Sequence, residues 1–152
     1  MKQTLSLLFS LILVSCAALQ PVPTPTPTAS APYVIRQEDN PYAPKFEDIN
    51  MKQDGVILTS VSLSERYDPP PIRAELHVLG SMPSVCSELR IKVNPPNEQY
   101  QIRVEVYSVA DLKLNCENVF QQFEVSVLLG EYSPGQFTVW VNDLSAGSIA
   151  SY

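Results

Sequence analysis

The chain has a single histidine and a single tryptophan, and its 10 lysines and arginines are outnumbered by 16 aspartates and glutamates, for a formal net charge of −6. A chain this poor in cations has no basic stripe, which excludes nucleic acid as a partner and excludes attraction to an anionic membrane by charge. The lone histidine leaves little material for acid–base or metal chemistry. No glycine-rich phosphate loop, no His-Glu-x-x-His and no Asp-x-Asp-x-Asp-Gly loop is present. His77 alternates with Arg73 and Glu75, so it reads as a strand residue on a polar face rather than a general base. Glu75, Glu105 and Glu124 also fall on polar faces, where solvation and cross-strand pairing with Arg73 or Arg103 suit them. No catalytic residue, no metal ligand set and no cofactor follows from this pattern. Amphipathic helical periodicity is missing as well. Hydrophobic residues nevertheless make up 45% and charged residues 17%, the balance of a chain that folds around one core.

The first sixteen positions are the most informative stretch. Lys2 supplies a short positive region, residues 5–14 form an apolar run broken only by Ser6 and Ser10, and Leu13-Val14-Ser15-Cys16 closes it. An uncleaved membrane span needs about 20 apolar residues, and the run stops at Leu19 with Ser15 and Cys16 inside it. The four closing residues resemble the lipobox of bacterial lipoproteins. That resemblance implies removal of residues 1–15, acylation of Cys16, and a domain outside the cytoplasm held to the bacterial cell membrane or envelope by lipid. Contact with the membrane is then expected through the lipid anchor alone. Residues 16–32 carry the sequence QPVPTPTPTASAP from Gln20 onward, a proline-threonine repeat that forbids helix and favours extended polyproline II, a spacer of roughly 40 Å.

Cys86 and Cys116 remain as an even pair. In an exported chain they are expected to form a disulfide, worth roughly 3 to 4 kcal/mol in the chain-entropy model. A metal-binding thiol pair is the weaker reading, since the two are distant, neither belongs to a Cys-x-x-Cys and one histidine cannot complete a site.

Residues 33–54 are a lead-in in which Tyr33, Val34, Ile35, Tyr42, Phe46 and Ile49 are interspersed with acids and prolines. These apolar residues are expected to pack on the domain. Residues 55–152 then show period-two runs cut by turn signals. Strands are expected over residues 56–63, 72–79, 86–93, 100–109, 119–129 and 137–141, with a short edge strand over 149–152. Ile72, Ala74, Leu76 and Val78 are read as inward, residues 80–84 as a turn, and residues 110–118 as irregular. This predicts an all-β, antiparallel two-sheet sandwich. The pattern resembles the immunoglobulin-like and fibronectin-like sandwiches of exported bacterial proteins, from which it departs in placing Trp140 after both cysteines rather than between them.

By strand parity Trp140 lies opposite Phe137, Val139 and Val141, and Tyr107 opposite Val104 and Val106, so both aromatics face outward unless the lead-in covers them. Exposed Trp and Tyr on a sheet are the usual material of protein or carbohydrate contacts. The expected function is a non-enzymatic binding or envelope-structural module whose partner is an envelope protein or glycan. The alternative is a small envelope hydrolase or inhibitor with a site built from loops 68–71 and 130–135.

Overall fold

The computed structural model describes residue 36, residues 39–67 and residues 72–151. The export segment, Cys16, the tether and loop 68–71 lie outside the described residues. The described chain contains one 3-10 turn, Phe46–Asn50, and the strands β1 (Lys52–Gly55), β2 (Ile57–Arg66), β3 (Arg73–Met82), β4 (Glu88–Val93), β5 (Gln101–Ala110), β6 (Gln121–Leu128), β7 (Gly135–Val141) and β8 (Leu144–Ser151). They form two sheets, one of five strands around β5 and one of three in the order β2-β3-β6. Alternating residues of both layers fill one core. Leu76, Val78, Val125 and Val127 meet Ile91, Ile102, Val104, Val139 and Val141, all at 9% exposure or less. The all-β, two-layer expectation therefore holds.

The sandwich is not wholly antiparallel. β5 and β7 run parallel, with Gln101 opposite Thr138 and Val104 opposite Val141. The reason is topological: the loop after β6 carries the chain from the three-stranded sheet to the other layer, and β7 then runs in the direction of β5. β4 lines one edge of β5. The other edge is shared end to end by β7, beside residues 101–104, and β1, beside residues 107–110. Asn142 fills the join. Its amide Oδ1 accepts from Val106 N–H at 2.9 Å, its Nδ2 donates to Val106 C=O at 3.1 Å, and its own N–H donates to Val104 C=O at 2.8 Å. The side chain thus stands in for a peptide of the missing strand. Its backbone takes the left-handed conformation, φ 52, that Asn tolerates better than most residues.

Three local expectations need correction. Residues 80–82 do not turn; they continue β3, and Gly80 faces inward where a Cβ would lie 2.5 Å from Ile57 O and 2.7 Å from the Phe123 ring. Phe123 fills that space, and β2 bulges beside it between Leu58 and Ser60. At the start of β3, Ile72 is 55% exposed and Arg73 only 6%. Arg73 is buried because Asp39 of the lead-in meets its Nη1 at 2.6 Å. The last strand is also longer than expected, reaching back to Leu144 with a bulge between Val139 and Trp140 in its pairing.

Tyr33, Val34 and Ile35 lie outside the described residues; from Asp39 on, the lead-in packs through polar groups more than through its aromatics. Tyr42 joins the core, but Phe46 is 90% and Ile49 78% exposed. Asp39 C=O accepts from Leu128 N–H of β6, Tyr42 C=O accepts from Ile91 N–H of β4, and Asn40 Nδ2 donates to Ile91 C=O at 2.7 Å. One segment therefore closes the seam between the two layers, and its last residues form β1.

Candidate functional site

The outer face of the five-stranded sheet carries the aromatics singled out from the sequence. Tyr107 and Trp140 both project from it, as parity requires, and both are half-buried rather than fully exposed. They do not form one continuous patch. Trp140 is in register with Arg103 and Tyr107 lies four residues further along β5, about 13 Å away at 3.3 Å per residue. Glu105 projects between them, paired with Lys92 at 3.0 Å and accepting from Asn94 at 2.7 Å. Asn94 and then Lys92 hold its carboxyl below the usual range.

Tyr107 belongs to a polar cluster made by the lead-in. Its register neighbours are Gly55 on β1 and Arg90 on β4. Arg90 points outward yet is 3% exposed, because Asp48 of the 3-10 turn caps it. Asp48 Oδ2 accepts from Arg90 Nε and Oδ1 from Nη2, each at 2.8 Å, and Oδ2 also accepts from Lys45 N–H at 2.7 Å. Arg90 Nη2 further donates to Glu88, and Nη1 to Leu89 C=O. This fork-on-carboxylate geometry is the strong kind of ion pair. It raises the guanidinium pKa and lowers that of Asp48. Burial, and then the nearby Asp48 charge, hold the Tyr107 phenol above its usual value. The half of the face around Tyr107 is thus occupied by the protein's own lead-in.

The half around Trp140 has a different character. Its register neighbours are Arg103 on β5 and Ser145 on β8, and Thr138 sits two residues back between Gln101 and Ser148. The indole Nε1 is shut off from solvent without a hydrogen-bond acceptor, a cost of about 1–3 kcal/mol for a buried donor.

Cys86 and Cys116 form a disulfide with Cα atoms 5.9 Å apart. It lies in the loops before β4 and after β5, so Cys86 precedes its strand instead of opening it. Leu112 and Leu114 beside it are 71% and 57% exposed, so the bridge, rather than burial, fixes this loop.

Of the rival site, loop 68–71 lies outside the described residues, and the described residues do not join His77 to a nucleophile. His77 sits on the outer face of the other sheet, between Ser62 and Ser126 in register, and its Nε2 meets Glu124 Oε1 at 3.1 Å. No hydroxyl is hydrogen-bonded to it among the described residues, as an activated nucleophile requires. Gly130 and Tyr132 line a hollow of about 260 Å³ together with Glu65, Arg73 and Ser151, and His77 is not part of it. Glu75 pairs with Arg66 at 3.0 Å rather than with Arg73. Among the described residues no group of three His, Cys, Asp or Glu side chains is placed to hold a metal ion.

Sequence reasoning missed Asn40, Asp48, Arg90 and Asn142. A buried arginine inside an alternating strand leaves no mark in periodicity, and an asparagine after a strand reads only as a turn. No protein-family model, no curated protein and no solved structure matches the chain.

Proposed function

We propose that the protein is an exported bacterial lipoprotein, acylated at Cys16 and held at the cell membrane or envelope, that presents its sandwich as a non-enzymatic binding or envelope-structural module. The Leu13-Val14-Ser15-Cys16 sequence and the proline-threonine spacer after it support the anchoring. The likeness to immunoglobulin-like sandwiches is carried at the level of two stacked layers. The observation that carries the binding reading is Trp140, a half-buried aromatic on an outer sheet face. Aromatics in such places are typical anchors of protein and glycan contacts.

Two measurements test this. Cys16→Ser abolishes lipidation and moves the protein from the detergent phase to the aqueous phase; unchanged partitioning overturns the anchoring. A pull-down from envelope extract and a glycan array, both with the full chain, identify partners that Trp140→Ala loses while keeping the fold. Wild-type binding by that variant overturns the surface, and turnover of an envelope substrate overturns the non-enzymatic reading.

A further inference from the structure

We propose that the Trp140 half of the outer face is a binding site for an acidic glycan, with the ring of Trp140 as stacking platform and the Arg103 guanidinium as receptor for a sugar carboxylate. This rests on the binding reading above and deepens it by naming the ligand class and confining the site to one half of the face. The register places Gln101 and Arg103 of β5 beside Thr138 and Trp140 of β7, and these beside Ser148 and Ser145 of β8. Those six side chains include no acid, and Glu105, which borders them on β5, is already held by Lys92 and Asn94.

Arg103 stands apart among the described cations. Arg36, Lys45, Lys52, Arg66, Arg73, Arg90 and Lys92 each have a carboxylate within 4 Å. Arg103 is exposed, and its contact is a long one of 3.5 Å to the amide oxygen of Gln101. Lys113, the other described cation without a carboxylate, lies on the disulfide loop and not on this face. An unclaimed guanidinium beside an aromatic matches the two halves of a uronic acid residue: its apolar ring face stacks on indole, and its carboxylate takes the planar fork of donors that arginine offers. Hydroxyls of Thr138, Ser145 and Ser148 and the Gln101 amide supply short polar contacts around the ring. A neutral sugar uses the platform but offers the guanidinium only hydroxyl acceptors, without the charge. The face around Tyr107 has an aromatic but no free guanidinium, because Arg90 there is already saturated by Asp48 and Glu88.

Trp140 is the only tryptophan, so its intrinsic fluorescence reports the site directly. The full chain is titrated with a galacturonate oligomer and, separately, with a neutral glucose oligomer of the same length, at constant ionic strength. The expected result is a saturable change with the acidic oligomer that weakens as salt rises. Arg103→Gln is expected to reduce that affinity about tenfold or more, the worth of a charge-assisted hydrogen bond, and Arg103→Lys to restore part of it. An equal response to both oligomers, undiminished in Arg103→Gln, overturns the acidic-ligand assignment while leaving Trp140 as a binding surface. No response of Trp140 to either oligomer overturns the glycan site; a Trp140-dependent protein partner in the pull-down then keeps the broader binding reading. Loss of the response in His77→Ala, on the opposite sheet, also overturns the site.

Discussion

Single residues hold this fold together at places where the regular pattern stops. Asn142 answers both the donor and the acceptor of Val106 where β7 has ended and β1 has not begun. Asn142→Ala leaves both groups of Val106 unpaired in partly buried surroundings and is expected to cost about 2–4 kcal/mol, read as a lower urea midpoint at unchanged slope. Asn142→Asp keeps the acceptor, loses the donor and falls between. At Gly80 the argument is steric. Gly80→Ala drives a methyl against the β2 backbone and the Phe123 ring, and overpacking of this kind is expected to destabilise by about 1–3 kcal/mol; Phe123→Leu in the same chain should recover part of the loss. Asp48 gives a pH-dependent prediction. Its hydrogen bonds from Arg90 lower its pKa below the ordinary 3.8, against burial, which acts the other way. A depressed folded pKa contributes stability that is complete above the unfolded value and is lost as pH falls through the folded one. Thermal melts of the wild type should therefore weaken with acid below about pH 3.8, and Asp48→Asn should flatten part of that limb, Glu105 acting in the same direction. The opposite order, a steeper acid limb in the variant, refutes the role of the pair.

At the scale of elements, alternation located most strands because every second residue of a half-buried strand must be apolar. Ile102, Val104 and Val106 face the core and Arg103 and Glu105 face out, as their order dictates. The same rule misplaced Arg73, whose burial depends on Asp39, 34 positions away, and no local pattern records such a partner. It also passed over Gly80, since a glycine after a strand reads as a turn unless the ring that will cover it is known. The parity argument put Tyr107 and Trp140 on the correct face, while the capping of Arg90 by Asp48, which claims Tyr107's half, comes from a segment with no periodicity. The lead-in yields the sharpest test at this scale. Removing one member of a buried ion pair strands the other, so Asp39→Ala is expected to cost about 3–5 kcal/mol, measured by chemical unfolding. The paired change Asp39→Leu with Arg73→Met, which leaves no stranded charge, should cost less than Asp39→Ala alone. A smaller effect of the single change than of the pair would mean that the lead-in contributes contacts but no anchored charge.

For the whole molecule, the disulfide and the chain's entry at Asp39 act at opposite ends of β3. β3 runs from Arg73, near where the chain enters at Asp39, to Met82, near the loop that holds Cys86. Cys116→Ser opens a covalent loop of separation 30 and is expected to destabilise by about 2–5 kcal/mol, seen as a lower Tm; Leu112 and Leu114, already exposed, offer no burial to replace it. The two-layer architecture was legible because turn signals and period-two runs are local, whereas the parallel pairing of β7 with β5 is set by how one loop crosses between layers. The manner in which the chain enters has a mechanical meaning. Tension arriving from residues before Arg36 meets Asp39 and then Asn40 and Tyr42, which grip β3 and β6 in one layer and β4 in the other. A pull on the chain before Asp39 is shared between both sheets at these first points of contact, so it loads the sandwich as one body instead of peeling a single strand from its edge.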